Sequence, residues 1–499
     1  MSRQAAYEAA GNGRTLHLWQ PPELGPNAAL AFSLPTLRRR SRDQIRQNAY
    51  AARAADAFVS NLVGSGIRPL PKASAETFRL QLQQLWNDWV EEADAAGELD
   101  YYGLQAQIVR SWFEGGECFV RRRLRRERDG LSVPLQLQVL EAEHLPTDMH
   151  DYAANGNVIR YGIEFDAIGR RVAYHFYRNH PGEFDRYPGG GQLTSRVPAE
   201  EVLHIYLPTR PGQKRGEPLL TQALLTLRDL DEWNDAELKR QKAGSMFLGV
   251  IRKVSEEGPE VGSQDTEAEA ESEEGVGVQT MESMSFTELS PGEDVNWSDP
   301  PEVGNNYTDF LRHRLRAVAQ SAGVLYEQLT GDYAEINDRT YRAAHNELTR
   351  QVEALQQSVV IPQLCRPSWR WFYAVARATG RLQRPGAISE REGRRVTWVP
   401  HAFRHIHPLQ DVQADRARVR SGFKSRREVA MENGEDVEAL DEDLRRDNER
   451  ADELGLALDT DPRKTSQAGA TQARPQDNRI PPTDPEADGE RNEEGEPNE

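Results

Sequence analysis

Three groups of residues in this chain could do chemistry, and each also has a plainer reading. His401, His405 and His407 in HAFRHIH are the only histidine cluster. Neutral imidazoles at close spacing can hold zinc, but an extended surface segment ahead of Pro408 accounts for them equally well, and no metal site is assigned. The run RRRLRRERDG (121–130) could bind a polyanion. The alternative is a solvated hairpin end turning at Asp129-Gly130, and the lack of interleaved aromatic residues favours it. The two cysteines, Cys118 and Cys365, are too few for a disulfide framework and read as reduced thiols. The motifs of common enzymes are missing: no Gly-Lys pair exists, so there is no phosphate loop, and HExxH, GxSxG and GxGxxG do not occur. The expectation is a protein without catalytic residues, cofactor or metal.

The composition narrows the rest. At 499 residues the chain exceeds what one core usually supports. A hydrophobic fraction of 37% and a mean hydropathy of -0.75 are low for its size. Unstructured stretches would explain this, as would long helices whose apolar faces are satisfied by neighbouring subunits. No apolar run approaches the roughly 18 residues of a membrane span, and MSRQAAYEAAGNG lacks the apolar stretch of a signal peptide. The net charge of -18 is unevenly placed. Residues 254–278 hold nine acidic and no basic residues, and 424–499 hold 23 acidic against 11 basic, so the remaining body is near neutral. A strongly basic DNA groove is not indicated. The nine-acid insert could meet a basic partner or be a solvated loop.

The periodicities give the elements. Residues 1–35 read as a flexible arm. A basic amphipathic helix follows with Ile45, Tyr50, Ala54, Phe58 and Leu62 in its stripe. A second helix, 76–95, carries Phe78, Leu82, Leu85, Trp86 and Trp89, the tryptophans reading as core rather than as a ligand platform. A third runs from Tyr102 to about Glu114. Between 117 and 207 the period changes to two, with strands LQLQVLEAEHL, VIRYGIEFD and RVAYHFY between glycine turns. Two amphipathic helices come next. The first, about Pro218 to Met246, places Leu224, Leu227, Leu230 and Trp233 in its stripe; the second places Tyr307, Phe310, Leu311, Leu315 and Val318 there. Between them lie short strands and the acidic insert. A polar loop, LTGDYAEIND, leads to a helix from Arg339 toward Gly380, expected to kink or break at Pro362 and Pro367. One or two charged helices over 408–455 and an aromatic-free acidic tail, expected to be disordered, end the chain.

These elements occur in an order that resembles the lambda-type family of tailed-bacteriophage portal proteins. The resemblance is carried by RSRDQIRQNAYAARAADAFVSNLVGSGIRP, WNDWVEEADAAGELDYYGLQ, EGGECFVRRR, PLQLQVLEAEHL, GIEFDAIGRRVAYHFYRNHPG, HIYLPTRPGQKRGEPLL with LRDLDEWNDAELKRQK, LSPGED with GVLYEQLTGDYAEIND, and PLQDVQADRARVRSGFKSRREVAMENGED. It implies an α+β subunit of a cyclic, usually dodecameric ring, through which double-stranded DNA is packaged and ejected at one capsid vertex. The implied parts are a wing (36–214 and 339–400), stem helices (215–246 and 306–323), an α/β clip with the acidic insert (247–305), a tunnel loop (324–338), a helical crown (401–456) and a tail (457–499). The implied DNA-facing residues are Gln328, Asp332, Tyr333, Glu335, Asn337 and Arg339. The implied partners are the terminase large subunit, the major capsid protein and scaffold, and head-completion or adaptor proteins, in a virion assembled in the host cytoplasm.

Two other classes remain open on the residues alone. A packaging enzyme of the terminase type would need the phosphate loop that is missing. A head–tail adaptor or scaffold is a structural alternative, but adaptors are commonly much shorter and a scaffold would not need the β-rich unit.

Overall fold

The computed structural model describes residues 21–183, 193–245, 249–253, 293–297, 307–334, 336–401 and 408–456 apart from 434 and 436. The acidic insert 254–278, the tail 457–499, Glu335, His405 and His407 lie outside the described residues. Two compact units divide the chain, Met1–Ile406 and His407–Glu499.

The first unit opens with helices α1 (Pro26–Ala31), α2 (Leu34–Gln47) and α3 (Ala49–Leu62), strand β1 (Arg68–Pro71), and helices α4 (Glu76–Val90) and α5 (Tyr101–Gly115). Strands β2 (Glu117–Leu124), β3 (Leu135–Glu141), β4 (His150–Tyr152), β5 (Val158–Arg160), β6 (Ile163–Phe165), β7 (Arg171–Tyr177), β8 (Thr194–Pro198) and β9 (Val202–Tyr206) follow. They form a three-stranded sheet, β3-β2-β9, and a five-stranded antiparallel meander, β4 through β8. Helix α6 (Leu224–Ser245), the antiparallel pair β10 (Gly249–Lys253) and β11 (Glu293–Trp297), and helix α7 (Tyr307–Ala322) come next. Then follow α8 (Tyr326–Thr330), α9 (Asp338–Leu355), a π-helical stretch Gln356–Cys365, α10 (Arg366–Ala378), α11 (Glu390–Gly393) and β12 (Val396–Val399), which pairs with β1.

Two cores hold the unit. In the larger, the Trp86 ring lies 4.9–5.1 Å from the rings of Trp89, Tyr101, Trp369 and Phe372, so four aromatic neighbours from three helices close on one indole. The smaller lies between the sheets around Phe119, Tyr174 and Phe176.

Several expectations are corrected by side-chain chemistry that periodicity does not carry. The arm expected over 1–35 contains α1 and the start of α2, and Asn27 ties it down by donating to Gly212 O and accepting from Lys214 N. The basic helix is two helices, because Asn48 is extended (φ -104°) and its Oδ1 caps α3 through Tyr50 N and Ala51 N. The tryptophan helix stops at Val90, ahead of the Asp94 carboxylate, which collects the N–H groups of Ala96, Glu98 and Leu99 into a turn. Where a kink or break was expected, α9 gives way at Gln356 to a π-helical stretch that contains Pro362, and α10 resumes at Arg366 with Pro367 in its first turn.

The second unit is three helices rather than one or two: α12 (Pro408–Arg420), α13 (Arg426–Glu432) and α14 (Val437–Glu453). Ser425 and Glu428 form a capping box at the start of α13. No helix among the described residues is long and apolar enough to cross a membrane.

Candidate functional site

Helices α6 and α7 are held together by an aromatic bracket. Trp233 stacks on Tyr307 at 4.7 Å and 21° and meets Phe310 at 4.9 Å. Leu224, Leu227 and Leu230 on α6, and Leu315 and Val318 on α7, are buried in the larger core, with Leu311 packed against it. Asn48 donates to Asp231 at 2.6 Å, fastening α6 to the α2–α3 junction, and burial pushes the Asp231 carboxyl up. Beyond Trp233 the α6 helix is largely bare. Leu225, Leu238 and Phe310 expose 67%, 49% and 41% of their surface, which leaves apolar side chains on a helix pair with no further cover among the described residues.

The loop after α7 is more built than a polar connection requires. Gly323 (φ +68°) ends α7 and Gly331 (φ +72°) ends the short α8, both in the left-handed region. Gln328, one of the implied DNA-facing residues, is bonded to helix α3. Its side-chain amide exchanges two 3.0 Å hydrogen bonds with Asn61, and Arg53 Nε donates to the Gln328 backbone carbonyl. Asp332 is half-buried, lies 3.8 Å from the Arg312 guanidinium of α7 and accepts from Ala334 N. Asn337 caps α9 by accepting from Thr340 N. Tyr333 and Arg339 are exposed. The residues grouped in the sequence therefore divide: Gln328, Asp332 and Asn337 do structural tasks, and Tyr333 and Arg339 present free surface.

A third arrangement was not legible in the sequence. Glu117, fully buried at the start of β2, receives Arg38 Nη2 from α2 at 2.6 Å and Arg215 Nε at 2.7 Å. It also receives His204 Nε2 from β9 and Gly216 N, each at 2.9 Å. Burial opposes its charge, but the two guanidinium groups hold its carboxyl well below the usual carboxylate range. Because Arg171 can only donate to His204 Nδ1, the His204 proton sits on Nε2, and burial pushes the imidazole down to about 4. The remaining guanidinium protons satisfy carbonyls of Gly115, Leu145, Pro146 and Tyr161. Backbone closeness completes the clamp: a Cβ on Gly216 would lie 2.0 Å from Gly116 O. The chain that enters α6 is thus locked to the sheet. The signal available was an acid, Glu117, heading the apolar run Cys118-Phe119-Val120; its partners stand 79 or more residues away along the chain.

Metal-ligand chemistry is weaker here. Glu141, Glu143 and His180 come together, but Arg42 bridges both carboxylates at 2.6 and 2.9 Å and already supplies the cation. His401 packs its ring against Gly64.

A family model described as "Phage portal protein, lambda family" matches residues 12–356. The chain is 25% identical over 434 residues to the probable portal protein of Halomonas phage phiHAP-1, covering 84% of this chain and 81% of that one. It is 22% identical over 490 residues to the portal protein of Escherichia phage N15 and 21% over 477 residues to portal protein B of Escherichia phage lambda, each covering 87% of this chain and 88% of the other. Among solved structures it is similar to a chain from the neck of a native gene transfer agent particle computed with C12 symmetry, with a TM-score of 0.45 and 15% identity over 84% of this chain and 98% of that one. With two thirds of its length matched by that one description, the chain belongs to the lambda family of phage portal proteins.

Proposed function

We propose that this portal protein works as a closed, dodecameric ring at one vertex of the capsid, in a virion assembled in the host cytoplasm, passing double-stranded DNA inward during packaging and outward at ejection. In this reading α6 and α7 are the stem and β10–β11 is the base of the clip, where the terminase large subunit docks and head-completion or adaptor proteins follow. Residues 36–214 and 339–400 form the wing that meets capsid protein and scaffold, and 401–456 form the crown. The observation that carries it is the α6–α7 pair. An aromatic bracket stiffens it within one subunit, while Leu225, Leu238 and Phe310 stay uncovered until a neighbour arrives. Negative-stain images of the purified full chain are expected to show rings with a central hole. A monodisperse monomer at micromolar concentration would overturn the proposal.

Loop 324–338 faces the DNA in this reading, through Tyr333, Glu335 and Arg339. Lysine at Asp332 would disturb its pairing with Arg312 as well, so Glu335→Lys is the cleaner variant. It is expected to leave rings intact and to give a salt-sensitive defect in packaging or DNA retention, because it replaces phosphate repulsion with attraction. Wild-type packaging across the salt range would place the loop away from the channel.

A further inference from the structure

Five arginines, Arg366, Arg370, Arg391, Arg394 and Arg395, line an open hollow of about 770 Å³, against a single carboxylate, Glu392. All five are exposed, and none of their guanidinium groups is hydrogen-bonded or ion-paired to another described residue. In a chain of net charge -18 such a concentration of unpaired cations needs a reason. The backbone that carries them is fixed. Trp369 Nε1 donates to Arg394 O at 3.0 Å, joining the turn to α10, and Lys72 N donates to Arg395 O at 2.9 Å, joining it to the end of β1. Trp398 closes the wall with an indole N–H that has no hydrogen-bond partner among the described residues. A second hollow, of about 330 Å³, is lined by Arg121, Arg122, Arg123 and Arg125 together with one carboxylate, Glu201. Helix α10 links the two: Arg122 stands 5.7 Å over the ring of Trp371, which directly follows Arg370. The sequence of 121–130 lacks an aromatic partner; the fold supplies one from α10.

We infer that this arginine surface binds the sugar–phosphate backbone of double-stranded DNA. The inference deepens the proposed function and rests on its reading of DNA as the molecule the portal handles. Guanidinium forks on a fixed backbone suit successive phosphates, whose spacing along a duplex is regular. No base-reading element accompanies them, so binding is independent of sequence.

The test uses the full-length chain, a short labelled duplex and fluorescence anisotropy across a salt series. The variant Arg366→Gln/Arg370→Gln/Arg394→Gln removes three surface charges that no described contact uses. Its log K against log salt should be shallower than wild type by about 2.7, so that between about 50 and 200 mM salt it loses roughly 40-fold less affinity. Lysine at the same three positions should restore the wild-type slope. Unchanged affinity and slope in the glutamine variant would overturn the inference. So would polyglutamate binding that the variant abolishes while duplex binding persists, which would make the hollow a dock for an acidic protein. Rings are scored on the same samples. Their absence in the wild type counts against the proposed function, whereas intact rings with unchanged DNA binding count against the arginine surface alone.

Discussion

Replacing Glu117 with alanine is expected to cost about 3–5 kcal/mol, as for other buried ion pairs that lose one partner. Arg38 and Arg215 would then remain buried with no anion between them, and His204 and Gly216 N would lose their acceptor. Chemical denaturation of the first unit checks this, and a variant within about 1 kcal/mol of wild type would show that the cluster is not the clamp described. The cluster also sets an acid limit. His204 titrates near 4 when folded and near 6.5 when unfolded, so below about 6.5 the unfolded chain binds the extra proton. Stability is complete above that value and falls as the pH drops toward 4, by up to about 1.4 kcal/mol per pH unit for this one group. The Glu117 carboxyl, held low in the fold, adds to the loss at lower pH in the same direction. His204→Gln should flatten the profile between about 4 and 6.5; an unchanged slope would exclude the imidazole as its source.

Trp86→Ala is the second large effect, expected at about 3–5 kcal/mol for emptying a buried indole site. The ring touches residues from α4, α5 and α10, and Trp398 of β12 lies 6.5 Å away, so the cavity opens where separate stretches of chain meet. These side chains are locked on several sides and relax little, which places the cost near the upper end of that range. Trp86→Phe keeps an aromatic ring and should recover more than half of the loss. Equal destabilisation by both substitutions would mean that shape, not apolar volume, governs the site.

The parts of this fold that repeat with a period were legible in the sequence. The stripe Tyr307, Phe310, Leu311, Leu315, Val318 predicts α7, and the same rule finds Leu224, Leu227, Leu230 and Trp233 on α6. What escaped was set by single side chains acting on backbone: Asn48 splitting a helix and Asp94 ending one. Gln328 shows the limit for site residues. A polar residue in a polar loop reads as exposed, and only the fold reveals Asn61, 267 positions distant, facing it with matching donors and acceptors. The arginines of α10 and the 389–396 turn escaped for a related reason. They are scattered through the sequence, and their density exists only where helix and turn come together.

The β10–β11 pair has a consequence for how this protein can diverge. Lys253 and Glu293 are directly opposed, so the 39 residues between them leave and return at neighbouring points. The closure is carried by the paired strands, and doubling the length of such a loop costs only about 0.6 kcal/mol. Selection can therefore lengthen, shorten or rewrite that stretch with little penalty to the helices on either side. For the experimentalist the same geometry marks a place to graft a reporter or affinity handle, since a foreign domain whose ends lie close together inherits an exit and a return that are already adjacent.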